Sequence, residues 1–77
     1  MGIIKEVKIK DEFITLGQLL KLVDLVSTGG EVKYFLMNEK ILVNNIQDNR
    51  RGKKLYKNDL INIQSITYKI CWLKKFN

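Results

Sequence analysis

The sequence predicts an α+β domain in which two packed helices lie against one face of a small, mainly antiparallel sheet, in the order β-α-α-β-β-β. Three observations predict it. Apolar residues alternate with charged ones near the N-terminus, two helix-start spacings follow almost back to back, and after Lys40 the apolar period changes from helical to two.

The first strand is expected over 3–10, with Ile3, Val7 and Ile9 on one face and Lys8 and Lys10 opposite. In "ITLGQLLKLVDLV", Thr15 and Gln18 have capping-box spacing, and Ile14 and Leu19 flank them as a hydrophobic staple. Leu16, Leu19, Leu20, Val23 and Val26 then follow helical spacing, with Gln18, Lys21 and Asp24 outward. Gly17 weakens this helix by about 1 kcal/mol against Ala, so packing must hold it. Thr28 and Glu31 repeat the capping-box spacing, and Val32, Phe35 and Leu36 form the apolar stripe of a second helix. The near absence of a linker forces a sharp turn between the helices. "KILVNN" then reads as a strand entering an Asn-Asn turn, with Ile46 opening the return strand. A turn at Lys57–Asn58 leads into a strand with Leu60 alternating against Ile61 and Ile63, and a last strand is expected over about 65–73. The "KKFN" tail is expected to be loose.

The 77 residues fit one domain, 1–77, with 45% hydrophobic residues to build a single core. A domain this small buries only roughly 60% of its unfolded surface. No apolar run approaches the roughly 20 residues of a bilayer-spanning helix, and "MGIIKEVKIK" lacks a signal-peptide core. Glu6 stands where myristoylation would require Ser or Thr. The lone Cys71 cannot form an internal disulfide and reads as a small apolar residue, consistent with a reducing cytoplasm.

Catalysis has little to work with. There is no His, which removes the commonest metal ligand and the usual acid–base group near neutral pH. No paired carboxylates or nucleophile–base couple is recognisable. Ser27 and Thr28 read as helix-start residues, and Asp48 and Asp59 as turn residues. The expectation is a protein that is not an enzyme, with no cofactor, no metal and no small-molecule substrate.

Charge is the stronger signal. Net charge is +6 and the pI about 9.6, which favours polyanions. Scattered Lys alone would follow from an AT-rich coding bias. The cations cluster, however: Arg50, Arg51, Lys53, Lys54 and Lys57 lie between Asn49 and Asn58 with no acid among them, and the two Arg are the only ones in the chain. Arg grips phosphate through a two-bonded fork, Lys adds a mobile point charge, and Gly52 lets both pairs turn to one ligand. Tyr56 offers a ring on which a base can stack. The competing reading is a solvated hairpin loop with Tyr56 half-buried. Gly29 and Gly30 open the second helix, where a phosphate can approach the backbone; for Gly30 the plainer reading is a permissive turn residue. Lys33 lies one turn on, and Lys21 lies on the polar face of the preceding helix.

"ITLGQLLK", "TGGEVK", "ILVNN" and "NRRGKKLYKND", in that order and spacing, resemble the small RNA-binding domain of ribosomal protein S-four, the αL motif. The match is best to its stand-alone bacterial branch, the YaaA/YbcJ-like proteins, and covers Ile14 to Ile63 as a core motif, 14–63. The resemblance implies structured RNA bound across the two helices and the adjoining loop. It places Lys33 where the family carries an Arg in the second helix, and Arg50–Arg51 and Lys53–Lys54 on the branch's basic motif. Leu16 and Gly29 stand where the wider family often has Arg, and Asn45 and Asn58 replace its turn glycines.

The expected function is therefore a cytoplasmic, monomeric, ribosome-associated RNA-binding domain for ribosomal or transfer RNA, using Arg50, Arg51, Lys53, Lys54, Lys33, Lys21, Tyr56 and Gly29. Two rivals stay open. The capped helix pair could be a helix-turn-helix that reads duplex DNA. Trp72, Phe76 and the last strand could form an apolar edge for a protein partner. No helix carries a basic face rich enough for a membrane surface.

Overall fold

The computed structural model describes residues 2–73. Phe76, expected at an apolar edge, and the "KKFN" tail, expected to be loose, lie outside these residues. The elements run β1 (Ile3–Ile9), β2 (Phe13–Thr15), α1 (Leu16–Leu22), α2 (Gly29–Asn38), β3 (Ile41–Val43), β4 (Ile46–Gln47), β5 (Lys54–Tyr56), β6 (Leu60–Ile63) and β7 (Ile66–Trp72). Five strands form one sheet in the order β1-β7-β6-β3-β4, and β2 pairs with β5 in a separate ribbon. Every pairing is antiparallel except β1 with β7, which join in parallel from Ile3↔Ile66 to Ile9↔Trp72. The α+β class with two helices and a mainly antiparallel sheet is as the sequence predicts. The ribbon is an addition: β2 is three residues long, and its partner lies some forty positions away.

Period-two alternation gives the sheet one buried face. Val7, Tyr68, Ile70, Ile61, Ile63, Ile41 and Val43 sit in its core, and Leu16, Leu19, Leu20, Val32 and Leu36 pack against them from the helices. Truncating a fully buried member such as Leu19 to Ala costs about 2–5 kcal/mol. Ile14 and Leu55 alternate inward on the ribbon, which ties it to the same core. Phe13 and Tyr56 are cross-strand neighbours on its outer side.

Both capping boxes form. Thr15 Oγ1 accepts from Gln18 N–H at 3.3 Å, and Gln18 Oε1 accepts from Thr15 N–H at 2.9 Å. Thr28 and Glu31 repeat the exchange at 3.3 and 3.2 Å. The first helix is shorter than its apolar spacing suggests. It stops at Leu22 because Asp24 turns to φ 63°, where its N–H donates to Lys21 O at 3.1 Å and Leu25 N–H donates to Leu20 O at 2.9 Å. This double closure is a Schellman end with Asp in the place usually held by Gly. Val26 still reaches the core, from the linker and not from the helix.

The turns use residues that tolerate positive φ. Asn44 and Asn45 (51° and 70°) join β3 to β4, and Asn58 (76°) precedes β6. Gln64 and Ser65 (52° and 70°) join β6 to β7. Asp59 fixes the β5–β6 turn by accepting from Tyr56 N–H at 2.8 Å and from Asn44 Nδ2 at 3.1 Å.

Candidate nucleic-acid interface

The basic loop is fastened to the start of α1. Leu16 N–H donates to Lys53 O at 2.8 Å, and Gly17 N–H donates to Arg51 O at 2.9 Å. These are first-turn N–H groups that the helix itself leaves without partners. Gly17 is buried, and a Cβ there would stand 3.3 Å from Arg51 O. The glycine that weakens α1 on propensity is thus what lets the loop approach. Helix patterning gave no sign of this, because the partner lies more than thirty residues away; a glycine inside the first turn of a capped helix is the available signal.

The Arg51 side chain reaches the other helix. Its Nη2 lies 3.7 Å from the point a Cβ on Gly29 would occupy. Arg51 therefore touches the openings of both helices, by its carbonyl on α1 and its guanidinium at α2. No carboxylate pairs with it among the described residues. Lys21 and Lys33 stand four residues beyond Gly17 and Gly29, so each lies on the helix face that Arg51 starts. Both are exposed.

Arg50 behaves differently, because an acid flanks the acid-free stretch. Asp48, one residue outside it, takes the fork: Arg50 Nε donates to Asp48 Oδ1 at 3.0 Å and Nη2 to Oδ2 at 2.8 Å. Arg50 N–H also donates to Oδ1 at 3.0 Å. These hydrogen bonds hold the Asp48 carboxyl at about 2, below its usual 3.8, and raise the Arg50 guanidinium above its ordinary value. The chain does turn at Gly52, closed by Lys53 N–H donating to Arg50 O at 3.1 Å, but the turn does not require glycine: its φ is not positive and a Cβ there would meet nothing within 4 Å.

The α2 opening carries its own anion. Glu31 Oε1 accepts from Ser27 N–H at 2.6 Å and from Thr28 N–H at 3.2 Å. Glu31 therefore competes with a phosphate at these N–H groups. What Gly29 supplies is room for the guanidinium.

Arg50, Gly52, Lys53, Lys54 and Tyr56 line a shallow hollow of about 480 Å³ with no carboxylate on its rim. Tyr56 is 43% exposed and tilts against Phe13, ring centres 5.8 Å apart. Lys54 Nζ lies 4.8 Å from the centre of the Phe13 ring. Lys21 lines a different hollow, beyond Phe13. Lys57 lies over Trp72 at 4.6 Å, in a hollow of about 680 Å³ that it shares with Lys10, Asp11 and Glu12. Two cations and two anions there give no preference for an anion. Sequence reading also passed over Tyr34, which follows Lys33 on α2 and is 70% exposed. The described residues hold no cluster of metal-ligating side chains and no helix long and apolar enough to cross a membrane.

Comparison with known proteins agrees with this architecture. Residues 7–71 match the family model of the S4 domain. Over 58 residues the chain is 50% identical to the probable ribosome maturation protein RlbA of Bacillus subtilis (strain 168), a match covering 75% of this chain and 82% of that protein. No solved structure matches at a significant level. On a match spanning both helices, five of the seven strands from end to end and part of β1 and β7, together with this identity, the chain belongs to the S4 domain family, the RNA-binding family its motifs resemble.

Proposed function

We propose that this chain is a single-domain, non-catalytic, monomeric RNA-binding protein that acts in the cytoplasm on structured RNA of the ribosomal or transfer type. The observation that carries the reading is the position of Arg51, at the openings of both helices and without a carboxylate partner among the described residues. Lys53 and Lys54 extend the field along the loop, and Lys21 and Lys33 extend it one turn along each helix. Tyr56 offers its exposed ring. Arg50 is held in reserve by Asp48 and joins only if phosphate displaces that carboxylate. The likeness to a probable ribosome maturation protein supports ribosomal RNA, or a ribosome precursor, as the target.

The test is fluorescence anisotropy with a ribosomal stem–loop, with duplex DNA as competitor. If about four phosphates are neutralised, log affinity against log salt has a slope of about −3 to −4. Arg51→Glu should reduce affinity at least about thirtyfold while circular dichroism and urea unfolding remain those of a folded domain. Wild-type affinity in the folded variant, or equal competition by duplex DNA, overturns the reading.

A further inference from the structure

Beyond the loop hollow lies a second one, of about 590 Å³, where residues before the core motif meet α1. Lys8, Lys10 and Lys21 line it, with Asp11 as the one carboxylate. Its apolar lining includes Phe13, Leu22 and Leu73, and the two leucines are 54% and 50% exposed. Three cations against one anion give it a net positive rim, and its size falls in the roughly 300–1,000 Å³ range of small-ligand sites.

The two hollows share a wall. Phe13 lines the second, and Tyr56 and Lys54 line the first. Phe13 packs on Tyr56 across the β2–β5 ribbon, and Lys54 lies over the Phe13 ring. A chain leaving the loop hollow therefore meets an aromatic pair and then a second set of lysines.

We propose that this second hollow receives an unstacked nucleotide from a single-stranded RNA segment adjoining the structured target, with its flanking phosphates on Lys8, Lys10 and Lys21. The inference rests on the RNA-binding reading above and extends it. An A-form duplex presents phosphates and 2′-hydroxyls and keeps its base faces stacked, so it has nothing to set against Phe13, Leu22 and Leu73. An unstacked base has an apolar face for that lining and edge donors for the Asp11 carboxylate. The phosphates stay with the lysines, because Asp11 repels them on its side.

Two stem–loop RNAs, one blunt and one bearing a short single-stranded oligouridine tail, test this in the full chain. The tail should raise wild-type affinity about tenfold, as stacking of one base on an aromatic ring does. Lys8→Gln with Lys10→Gln should abolish that gain and leave affinity for the blunt RNA within about twofold. Arg51→Gln should weaken both RNAs. With 4-thiouridine in the tail, the cross-link should fall on the tryptic peptide Asp11–Lys21. A tail without effect, a gain that survives in the double variant, or cross-links confined to other peptides overturns this inference and leaves the stem-binding reading standing. Failure of the wild type to bind either RNA overturns both.

Discussion

Gly17 N–H donates to the carbonyl of Arg51 at 2.9 Å, so the backbone of the basic loop takes up a hydrogen bond that α1 cannot make for itself. One bond thereby sets the position of the loop's free arginine and completes the start of a helix only seven residues long.

The contact predicts an inverted glycine effect. In an ordinary helix interior Gly→Ala stabilises by about 1 kcal/mol. Here the new methyl would stand 3.3 Å from a carbonyl that the Gly17 N–H itself holds in place, with the Leu16–Lys53 bond fixing the loop beside it. Gly17→Ala should therefore destabilise by about 0.5–1 kcal/mol in urea unfolding, and Gly17→Val by more. Stabilisation by Ala would show that the loop yields.

Asp48 predicts a variant that binds better and folds worse. Asp48→Asn releases the Arg50 fork and removes one negative charge, raising the net charge by one. RNA affinity should rise about three- to tenfold, and the salt slope should steepen by about 0.9. Stability should fall by about 1 kcal/mol, as for an ion pair with one exposed and one largely covered partner. Anisotropy and urea titrations on the same preparation check both.

The same pair has a pH signature. The folded Asp48 carboxyl sits at about 2, below its usual 3.8, so its contribution is complete above pH 4 and fades as pH falls through the folded value. The urea midpoint should decline between about pH 4 and pH 2, and less steeply in Asp48→Asn. Identical slopes in the two proteins would detach the acid sensitivity from this ion pair.

Two positions are open to stabilisation. Asp24 at φ 63° and Ser65 at φ 70° hold a left-handed backbone that costs most L-residues roughly 1–2 kcal/mol. Asp24→Gly and Ser65→Gly should each raise stability by about 0.5–1 kcal/mol, since Gly takes this conformation without the Cβ conflict. Thermal unfolding measures the gain, and RNA affinity should not change.

Local features were the legible ones. Thr15 with Gln18, and Thr28 with Glu31, form their boxes within one helical turn, so spacing alone reveals them. The alternation Ile61, Ile63 and Tyr68, Ile70 identifies the buried sheet face just as directly. What escaped depends on residues distant in sequence. Strand β2 is defined by a partner at residues 54–56, and the value of Gly17 by Arg51. Asp48 escaped for a different reason: it stands one residue outside a charge run, and only coordinates show which of its cationic neighbours it takes. The end of α1 depends on the φ of Asp24, a residue whose side chain gives no clear stop signal.

The parallel pairing of β1 with β7 has a consequence for biosynthesis. Among the described residues β1 is an edge strand whose one neighbour is the seventh and last strand, so Val7 and Ile9 wait for Ile70 while some sixty residues are made between them. Helices and hairpins can form as the polypeptide emerges, but the sheet closes only once β7 has emerged, as a late, long-range step. A stalled nascent chain ending before Ile66 would expose those two side chains, making it a substrate for chaperones and proteases, whereas the finished protein hides both.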